Sequence, residues 1–443
     1  MLAFVPLART TFDMQLAEAQ TDLARQALRA AFPNLLEIEA LITDSEGMAR
    51  AIAQLRAAPI SLLIIFQATF ADSSAVVMLA EALRLPILLW AVPEAATGGR
   101  LRLNALCGIN LAAFALKRRG LPYTFCFAPP DSAEALRAVQ NAASAAAALR
   151  ALRGAQIGVV GEHPTGFEPC AYDADLLGAQ FGIAVQPYDL DQAFAAADNV
   201  PAERVSARYA QVAAKLSNLA ELNADQVRGT LSFHEAMRDQ IAADDLRGVA
   251  VRCWPETFLK RDCAICASSS LLCDSGIPAT CEADVNGVVS GLILQGVGAA
   301  ATFGADMVAA DAERNTLTFW HCGLAPLSMC DPNFAPRGAL HSNRQRPLLM
   351  EFPLKAGRVT IARLTQAGES GAYRLVIGTG EMLSAPMQFS GTSGVFQPDS
   401  SAANALEVIL REGLDHHFTL AYGDYRAALL LFADFAKLPV IAL

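Results

Sequence analysis

Residues 60–94 of the sequence read ISLLIIFQATFADSSAVVMLAEALRLPILLWAVPE and contain two apolar runs, which are joined by a polar loop and a helical pattern. The runs at 60–70 and 86–94 are typical of parallel strands that are buried on both faces. A strand, a helix and a second strand in this order predict a βαβ unit, in which a helix covers a parallel sheet. This stretch therefore places the chain in the α/β class.

The same alternation extends through most of the chain. Residues 14–31 have helical periodicity, and a second α/β unit begins at the strand 157–160. After about residue 336 the pattern changes to short alternating strands with glycine turns at 355–358 and 366–371. We therefore predict two doubly wound parallel-sheet domains followed by a smaller C-terminal domain that contains an antiparallel β-barrel. The predicted domains are 1–153, 154–335 and 336–443.

Composition excludes several classes of function. The 443 residues are 53% hydrophobic and 18% charged, and the net charge is −10 with no long basic run, so we expect neither a nucleic-acid nor a membrane partner. The uncharged stretch 285–305 contains five glycines and several polar residues, which favours a helix buried in a soluble protein. Because the N-terminus lacks the pattern of a secretory leader, we expect a cytoplasmic protein.

Ten cysteines are scattered singly, which is typical of reduced, mostly buried thiols. Cys263 and Cys266 form a CxxC motif, for which a zinc or redox role and simple burial both stay open.

Acids and histidines flank the uncharged stretch. Glu282 and Asp284 precede it, Asp306 follows it, and His321 and the pair His416–His417 lie beside strand-like segments. A glutamate, an aspartate and one histidine would form an oxygen-rich ligand set, which suits Mn²⁺ or Mg²⁺ better than structural Zn²⁺. The alternative is that the acids cap a helix or occupy loops and that the histidines are ordinary turn residues.

Four segments in combination resemble the L-fucose isomerase family, which is distantly similar to L-arabinose isomerase. They are WPE (254–256), CEADVNG (281–287), FGADMVAADAERNTLTFWHCG (303–323) and HHFTLAYGD (416–424). The resemblance implies two α/β domains, a C-terminal domain with a barrel, and a divalent metal held by Glu282, Asp306 and His417. His416 is the second choice for the histidine ligand, and His321 is a weaker candidate that matches the arabinose branch.

The function implied by this resemblance is metal-dependent aldose–ketose isomerisation through a cis-enediol. Mn²⁺ is the expected cofactor, with Mg²⁺ or Co²⁺ as alternatives, and the expected assembly is a homo-oligomer, either a trimer or a hexamer. Glu282 and Asp306 would be catalytic, and the sugar pocket would include weaker candidates: Trp254, Glu256, Trp320, His321 and His416. The chain is shorter than the classical fucose isomerases, so the sugar stays open. The alternative is a sugar-binding protein on the same scaffold that is catalytically silent or that acts as an epimerase or aldolase.

Overall fold

The computed structural model describes residues 1–367 and 371–443. These fall into two compact units, one formed by 1–150 with 427–437 and the other by 151–426 with 438–443. Residues 368–370, in the second predicted glycine turn, lie outside the described residues. Within the described chain, no helix has the length and apolar character needed to cross a membrane.

The first unit contains a five-stranded, fully parallel sheet in the order β2-β1-β3-β4-β5. Its strands are β1 (Leu2–Leu7), β2 (Leu36–Glu37), β3 (Leu62–Gln67), β4 (Ile87–Ala91) and β5 (Tyr123–Phe127). The helices between and after them are α1 (Met14–Ala31), α2 (Ser45–Arg56), α3 (Ser74–Leu83), α4 (Ala105–Arg118) and α5 (Ala133–Leu152). The strands predicted at 60–70 and 86–94 are β3 and β4, and both are buried along their whole length.

The second unit begins with a four-stranded parallel sheet in the order β7-β6-β8-β9. Its strands are β6 (Gln156–Val160), β7 (Ala184–Tyr188), β8 (Leu246–Val251) and β9 (Ala279–Thr280). Its helices are α6 (Ala174–Phe181), α7 (Leu190–Asp198), α8 (Ala202–Ala213), α9 (Ala224–Ala243), α10 (Glu256–Lys260), α11 (Cys266–Asp274) and α12 (Val285–Gly296).

The rest of the second unit is built on a closed antiparallel barrel of six strands in the order β16-β11-β10-β17-β14-β15. Pairing of β15 with β16 closes it, which removes the free sheet edges. The barrel strands are β10 (Phe303–Asp311), β11 (Thr316–His321), β14 (Gly357–Ala367), β15 (Ala372–Leu383), β16 (Thr392–Pro398) and β17 (His417–Tyr422). Short strands β12 (Arg337–Ala339), β13 (Leu349–Pro353) and β18 (Val440–Ala442) extend the same sheet, and α13 (Ala402–Glu412) also lies in this unit. Helix α14 (Arg426–Ala436) belongs, apart from its first residue, to the first unit.

The predicted fold class, parallel sheets followed by an antiparallel barrel, is confirmed. Two barrel strands, β10 and β11, lie within 303–321, ahead of the predicted start of the C-terminal domain at 336. The three domain boundaries themselves stay a prediction.

Helix α12 is the uncharged stretch that follows the two acids, and it joins the parallel sheet to the barrel within the second unit. Residues 285–294 are all buried, and the helix packs against β8 on one side and β14 and β17 on the other. A mostly apolar helix without charged residues is stable in water only when all of its faces are covered. Its N-terminus is therefore held rigidly beside the barrel strands.

Helix α9 contains a buried histidine whose titration sets a pH dependence of stability. Burial, aided by the charge of Arg208, lowers the pKa of His234 to about 4. The unfolded value is near 6.5, so this contribution to stability is fully present above about pH 6.5 and is lost as the pH falls from 6.5 to 4. Between pH 7 and pH 5 we expect wild type to lose about 2 kcal/mol more unfolding free energy than His234→Gln. Urea denaturation across this range measures the difference, and parallel profiles would contradict it.

Candidate active site

The acidic loop between β9 and α12 has an unusual backbone that points its side chains toward the barrel. Glu282 and Ala283 both have positive φ, 59° and 55°, a conformation that costs non-glycine residues about 1–3 kcal/mol each. Asp284 then caps α12, because its Oδ1 accepts a hydrogen bond from the backbone N–H of Gly287 at 2.9 Å. The packing of α12 maintains this turn and fixes both carboxylates against the barrel.

The barrel supplies an aspartate and a histidine from neighbouring strands. Asp306 on β10 and His417 on β17 are direct partners in the antiparallel register, so their side chains leave the sheet on the same face. Nε2 of His417 lies 3.3 Å from Asp306 Oδ1 and 3.1 Å from Glu282 Oε2. One imidazole nitrogen thus lies between carboxylates from the loop and from the barrel.

Two of these atoms lack a hydrogen-bond partner among the described residues. Asp306 Oδ1 and His417 Nε2 are both fully buried, and neither makes a contact with hydrogen-bond geometry. An unpaired buried polar atom costs roughly 1–3 kcal/mol, and more when it is charged. A site with this deficit fits a cation that accepts lone pairs from oxygen and nitrogen.

A charged network behind His417 fixes the orientation of its ring. Its Nδ1 lies 3.0 Å from Asp284 Oδ2, which also accepts from Arg363 at 2.6 Å. Arg363 has no exposed surface, and it also donates to Asp415 at 2.8 Å and to the Pro169 carbonyl at 3.2 Å. A proton on Nδ1 that is shared with Asp284 leaves the Nε2 lone pair facing the two other carboxylates.

Residue 287 must be glycine for this network to form. A Cβ at Gly287 would lie 2.5 Å from Asp284 Oδ2, the oxygen that contacts both His417 and Arg363. Any larger residue would displace that carboxylate.

The carboxylates strongly favour positive charge at this position. Burial alone would lower the pKa of His417, but the close approach of Asp284, Cys170 and Glu282 outweighs it and raises that pKa well above its usual value. Burial alone would raise the pKa of Glu282, but His416 and His417 hold it well below the usual range. The same environment that stabilises a proton on His417 would stabilise a metal cation in its place.

Two sets of possible metal-binding atoms meet at His417. In each set, the possible ligand atoms lie within 4.8 Å of one another. The first set consists of Asp306, His321 and His417, and the second consists of Cys170, Glu282, His416 and His417. The three predicted ligands are therefore linked through His417, although no single set among the described residues contains all three. Cys170 was not predicted from sequence, and burial raises the pKa of its thiol, which keeps it protonated.

The weaker candidates occupy different surroundings. Trp254 donates from Nε1 to Glu282 Oε1 at 2.9 Å and so orients that carboxylate. Glu256 is paired with Arg252 at 2.7 Å. Trp320 stacks on His321 and donates to the Ser390 carbonyl, while His416 Nε2 lies 3.7 Å from Glu282 Oε2. His321 Nδ1 accepts from the Cys322 backbone N–H at 2.8 Å.

Arg363 and Asp415 were missed by the sequence reasoning, although a signal was present for one of them. Along β14, Val359, Ile361 and Arg363 follow the same period-2 phase, so an arginine occupies a position typical of a buried apolar residue. That conflict marks a buried charge that needs partners. Asp415 precedes β17 in a polar segment and carries no comparable signal.

Cysteine pairing also differs from the prediction. Cys253 and Cys281, which immediately precede Trp254 and Glu282, form a disulfide with a Cα–Cα distance of 5.7 Å. The expectation that all ten cysteines are reduced is therefore wrong for this pair. Cys263 and Cys266 are buried and free, and neither belongs to a set of metal-binding atoms among the described residues.

The fold and this site define an α/β enzyme whose carboxylates and histidine meet between a parallel sheet and an antiparallel barrel. Comparison with known proteins makes the class specific, because residues 3–153 match the model of the fucose/sulfoquinovose isomerase N-terminal domain and residues 321–443 match that of the L-fucose isomerase C-terminal domain. The chain belongs to this family of sugar isomerases, which are intramolecular oxidoreductases, and the predicted family is confirmed.

Relatives of similar length align over nearly the whole chain. The chain is 32% identical to a sulfoquinovose isomerase of Alkalicoccus urumqiensis over 444 residues, which cover 99% of this chain and 98% of that protein. It is 30% identical to one from Priestia megaterium (strain ATCC 12872 / QMB1551) over 422 residues, covering 95% and 94%. It is also 28% identical to one from Clostridium sp. (strain MSTE9) over 441 residues, covering 99% and 98%.

Proposed function

We propose that the protein is a divalent-metal-dependent aldose–ketose isomerase that converts sulfoquinovose, a 6-sulfonated aldohexose, into the corresponding 2-ketose. The names of the aligned relatives support the substrate. The proposed metal ligands are Glu282, Asp306 and His417, and this donor set of two carboxylates and one imidazole suits Mn²⁺, with Mg²⁺ or Co²⁺ as alternatives.

The pair of buried unpaired atoms supports this proposal most directly. Asp306 Oδ1 and His417 Nε2 lie 3.3 Å apart without hydrogen-bond partners among the described residues, and Glu282 Oε2 lies 3.1 Å from the same nitrogen. A purely structural ion pair would align a donor with an acceptor, whereas lone pairs that face a common point suit a bound cation.

The proposed reaction moves one proton between neighbouring carbons. When bound, the divalent cation polarises the sugar carbonyl and stabilises the negative charge that develops on oxygen. Glu282 takes the proton from C2 of the open-chain aldose, the electron pair of that C–H bond forms the C1–C2 double bond, and the carbonyl π pair moves to O1, which gives the cis-enediol as its enediolate anion. Asp306 moves the hydroxyl proton from O2 to O1, and Glu282 returns its proton to C1 to give the ketose.

Trp254 and Asp284 orient the groups that react. The indole N–H holds Oε1 of Glu282 at 2.9 Å, so the other carboxylate oxygen keeps its direction toward the histidine. Asp284 holds His417 through Nδ1 at 3.0 Å, which fixes the tautomer with a free lone pair on Nε2.

Incubation of the Mn²⁺-loaded protein with sulfoquinovose tests the activity. We expect a 6-sulfonated 2-ketose, identified by NMR, and incorporation of solvent deuterium at C1 of the ketose and at C2 of the re-formed aldose whenever the carried proton exchanges. Three results would contradict the isomerase proposal. A C2 epimer as the major product would favour an epimerase, and cleavage of the carbon chain would favour an aldolase. Binding of sulfoquinovose without turnover would favour a catalytically silent binding protein.

Replacement of Asp284 tests its role behind the metal site. Asp284→Asn removes the charge that orients His417, and we expect about a 10–100-fold weaker affinity for Mn²⁺. Isothermal titration with Mn²⁺ measures this, with Asp311→Asn at the exposed end of β10 as the matched control. Equal affinity in both variants would contradict the assigned role.

We also propose the homo-oligomer, a trimer or hexamer, that the family resemblance implies. Large apolar side chains remain exposed on α4 and on the edge strand β5: Leu106, Leu111, Phe114, Phe125 and Phe127. Exposed large apolar side chains are enriched at surfaces that bind another chain. Light scattering of the purified protein would measure the assembly, and a monomer at micromolar concentration would contradict it.

A further inference from the structure

Arg344 has no countercharge among the described residues, and its guanidinium lies over the indole of Trp254, which contacts Glu282. Its guanidinium carbon lies 4.9 Å from the ring centre of Trp254 and 5.1 Å from that of Phe258. Its side chain forms no ion pair or hydrogen bond among the described residues, and it is partly exposed. Two aromatic faces therefore hold the guanidinium in place while its N–H groups remain free.

Other basic residues near this loop are already neutralised. Arg346 pairs with Asp262, and Arg252 pairs with Glu256 at 2.7 Å. Lys260 pairs with Asp191 at 2.5 Å. An unpaired guanidinium among paired ones indicates a position whose countercharge is supplied from outside the chain.

The indole of Trp254 connects this cation to the reaction centre. Its N–H edge donates to Glu282 Oε1 at 2.9 Å, and its face contacts Arg344. The carboxylate and the guanidinium thus contact the edge and the face of one aromatic side chain. A substrate with its carbonyl end at Glu282 can present an anion on its far carbon to Arg344.

We propose that Arg344 binds the anionic C6 substituent of the substrate, a sulfonate, and so determines selectivity for 6-sulfonated over neutral aldoses. This inference rests on the proposed function and assigns its substrate selectivity to a residue. The planar fork of arginine can donate two parallel hydrogen bonds to a sulfonate, and the aromatic faces of Trp254 and Phe258 fix that fork in advance. A neutral sugar carries no anion that could pair with the Arg344 guanidinium.

The test compares wild type, Arg344→Met, Arg344→Lys and the matched control Arg346→Met, which removes a cation that is already paired on the same loop. Two readouts are measured: the ratio of kcat/KM for sulfoquinovose to that for glucose, and the dissociation constant for sulfoquinovose by calorimetry. We expect the ratio to fall about 10–100-fold in Arg344→Met, mainly through KM. Arg344→Lys should recover part of the loss, and Arg346→Met should retain the wild-type ratio.

The outcomes separate this inference from the proposed function. If wild type isomerises sulfoquinovose and Arg344→Met keeps the same ratio and affinity, the role of Arg344 is overturned while the isomerase stands. If wild type binds sulfoquinovose without turnover and Arg344→Met loses that binding, the role of Arg344 is supported while the isomerase fails. If wild type does not bind sulfoquinovose, or Arg346→Met loses as much as Arg344→Met, the inference is overturned.

Discussion

Glu282→Gln should lower the rate of ketose formation by about 10³–10⁴-fold, because it removes a proposed ligand and the group that carries the proton. The variant should fold normally, since a glutamine oxygen can still accept the Trp254 N–H that Glu282 accepts at 2.9 Å. Steady-state assays at saturating Mn²⁺ measure the rate, and circular dichroism checks the fold.

Asp311→Asn is the matched control for this loss of a carboxylate, because Asp311 lies at the exposed end of the strand that bears Asp306. We expect it to retain activity within about twofold, as is usual for exposed surface positions. Activity of Glu282→Gln equal to that of Asp311→Asn would remove Glu282 from the mechanism.

Arg363→Met should produce the largest loss of stability, about 3–5 kcal/mol, because it leaves two buried carboxylates without their cation. Arg363 has no exposed surface and lies 2.6 Å from Asp284 and 2.8 Å from Asp415. Burial alone would lower its pKa, but these two carboxylates raise it above the usual value, so the guanidinium remains charged. Urea denaturation of the two proteins measures the difference in unfolding free energy.

Arg358→Met on the same strand controls for the loss of an ion-paired arginine at the surface. Arg358 pairs with Asp399 at 2.6 Å and Asp424 at 2.8 Å, but all three side chains are exposed enough for water to screen them. We expect a loss below about 1 kcal/mol. Similar losses in the two variants would show that burial of the Arg363 network contributes nothing to its effect.

The fold class could be predicted because its main determinant is local. Continuous apolar runs of this length, such as 60–70 and 86–94, are typical of buried parallel strands, and β3 and β4 lie in these two runs. Strand β10 was harder to predict from sequence, because Asp306 in its middle and Asp311 at its end weaken the alternation of apolar and polar residues. Its identity as a barrel strand depends on pairing with β17, more than 100 residues later.

The candidate site was only partly accessible from sequence for a similar reason. Glu282, Asp306 and His417 were selected through the family resemblance, and the structure brings their side chains together at one imidazole nitrogen. The roles of Arg363 and Asp415 depend on contacts between segments 52 residues apart, which no local pattern encodes. The disulfide between Cys253 and Cys281 likewise depends on the adjacency of β8 and β9.

Anomalous diffraction from Mn²⁺-loaded crystals locates the cation relative to individual side chains and so tests the proposed ligand set. Our account predicts one strong manganese peak in each chain, bonded to Glu282, Asp306 and His417. A peak bonded to Cys170 and His416 with Asp306 free, or no peak at this position, would contradict it.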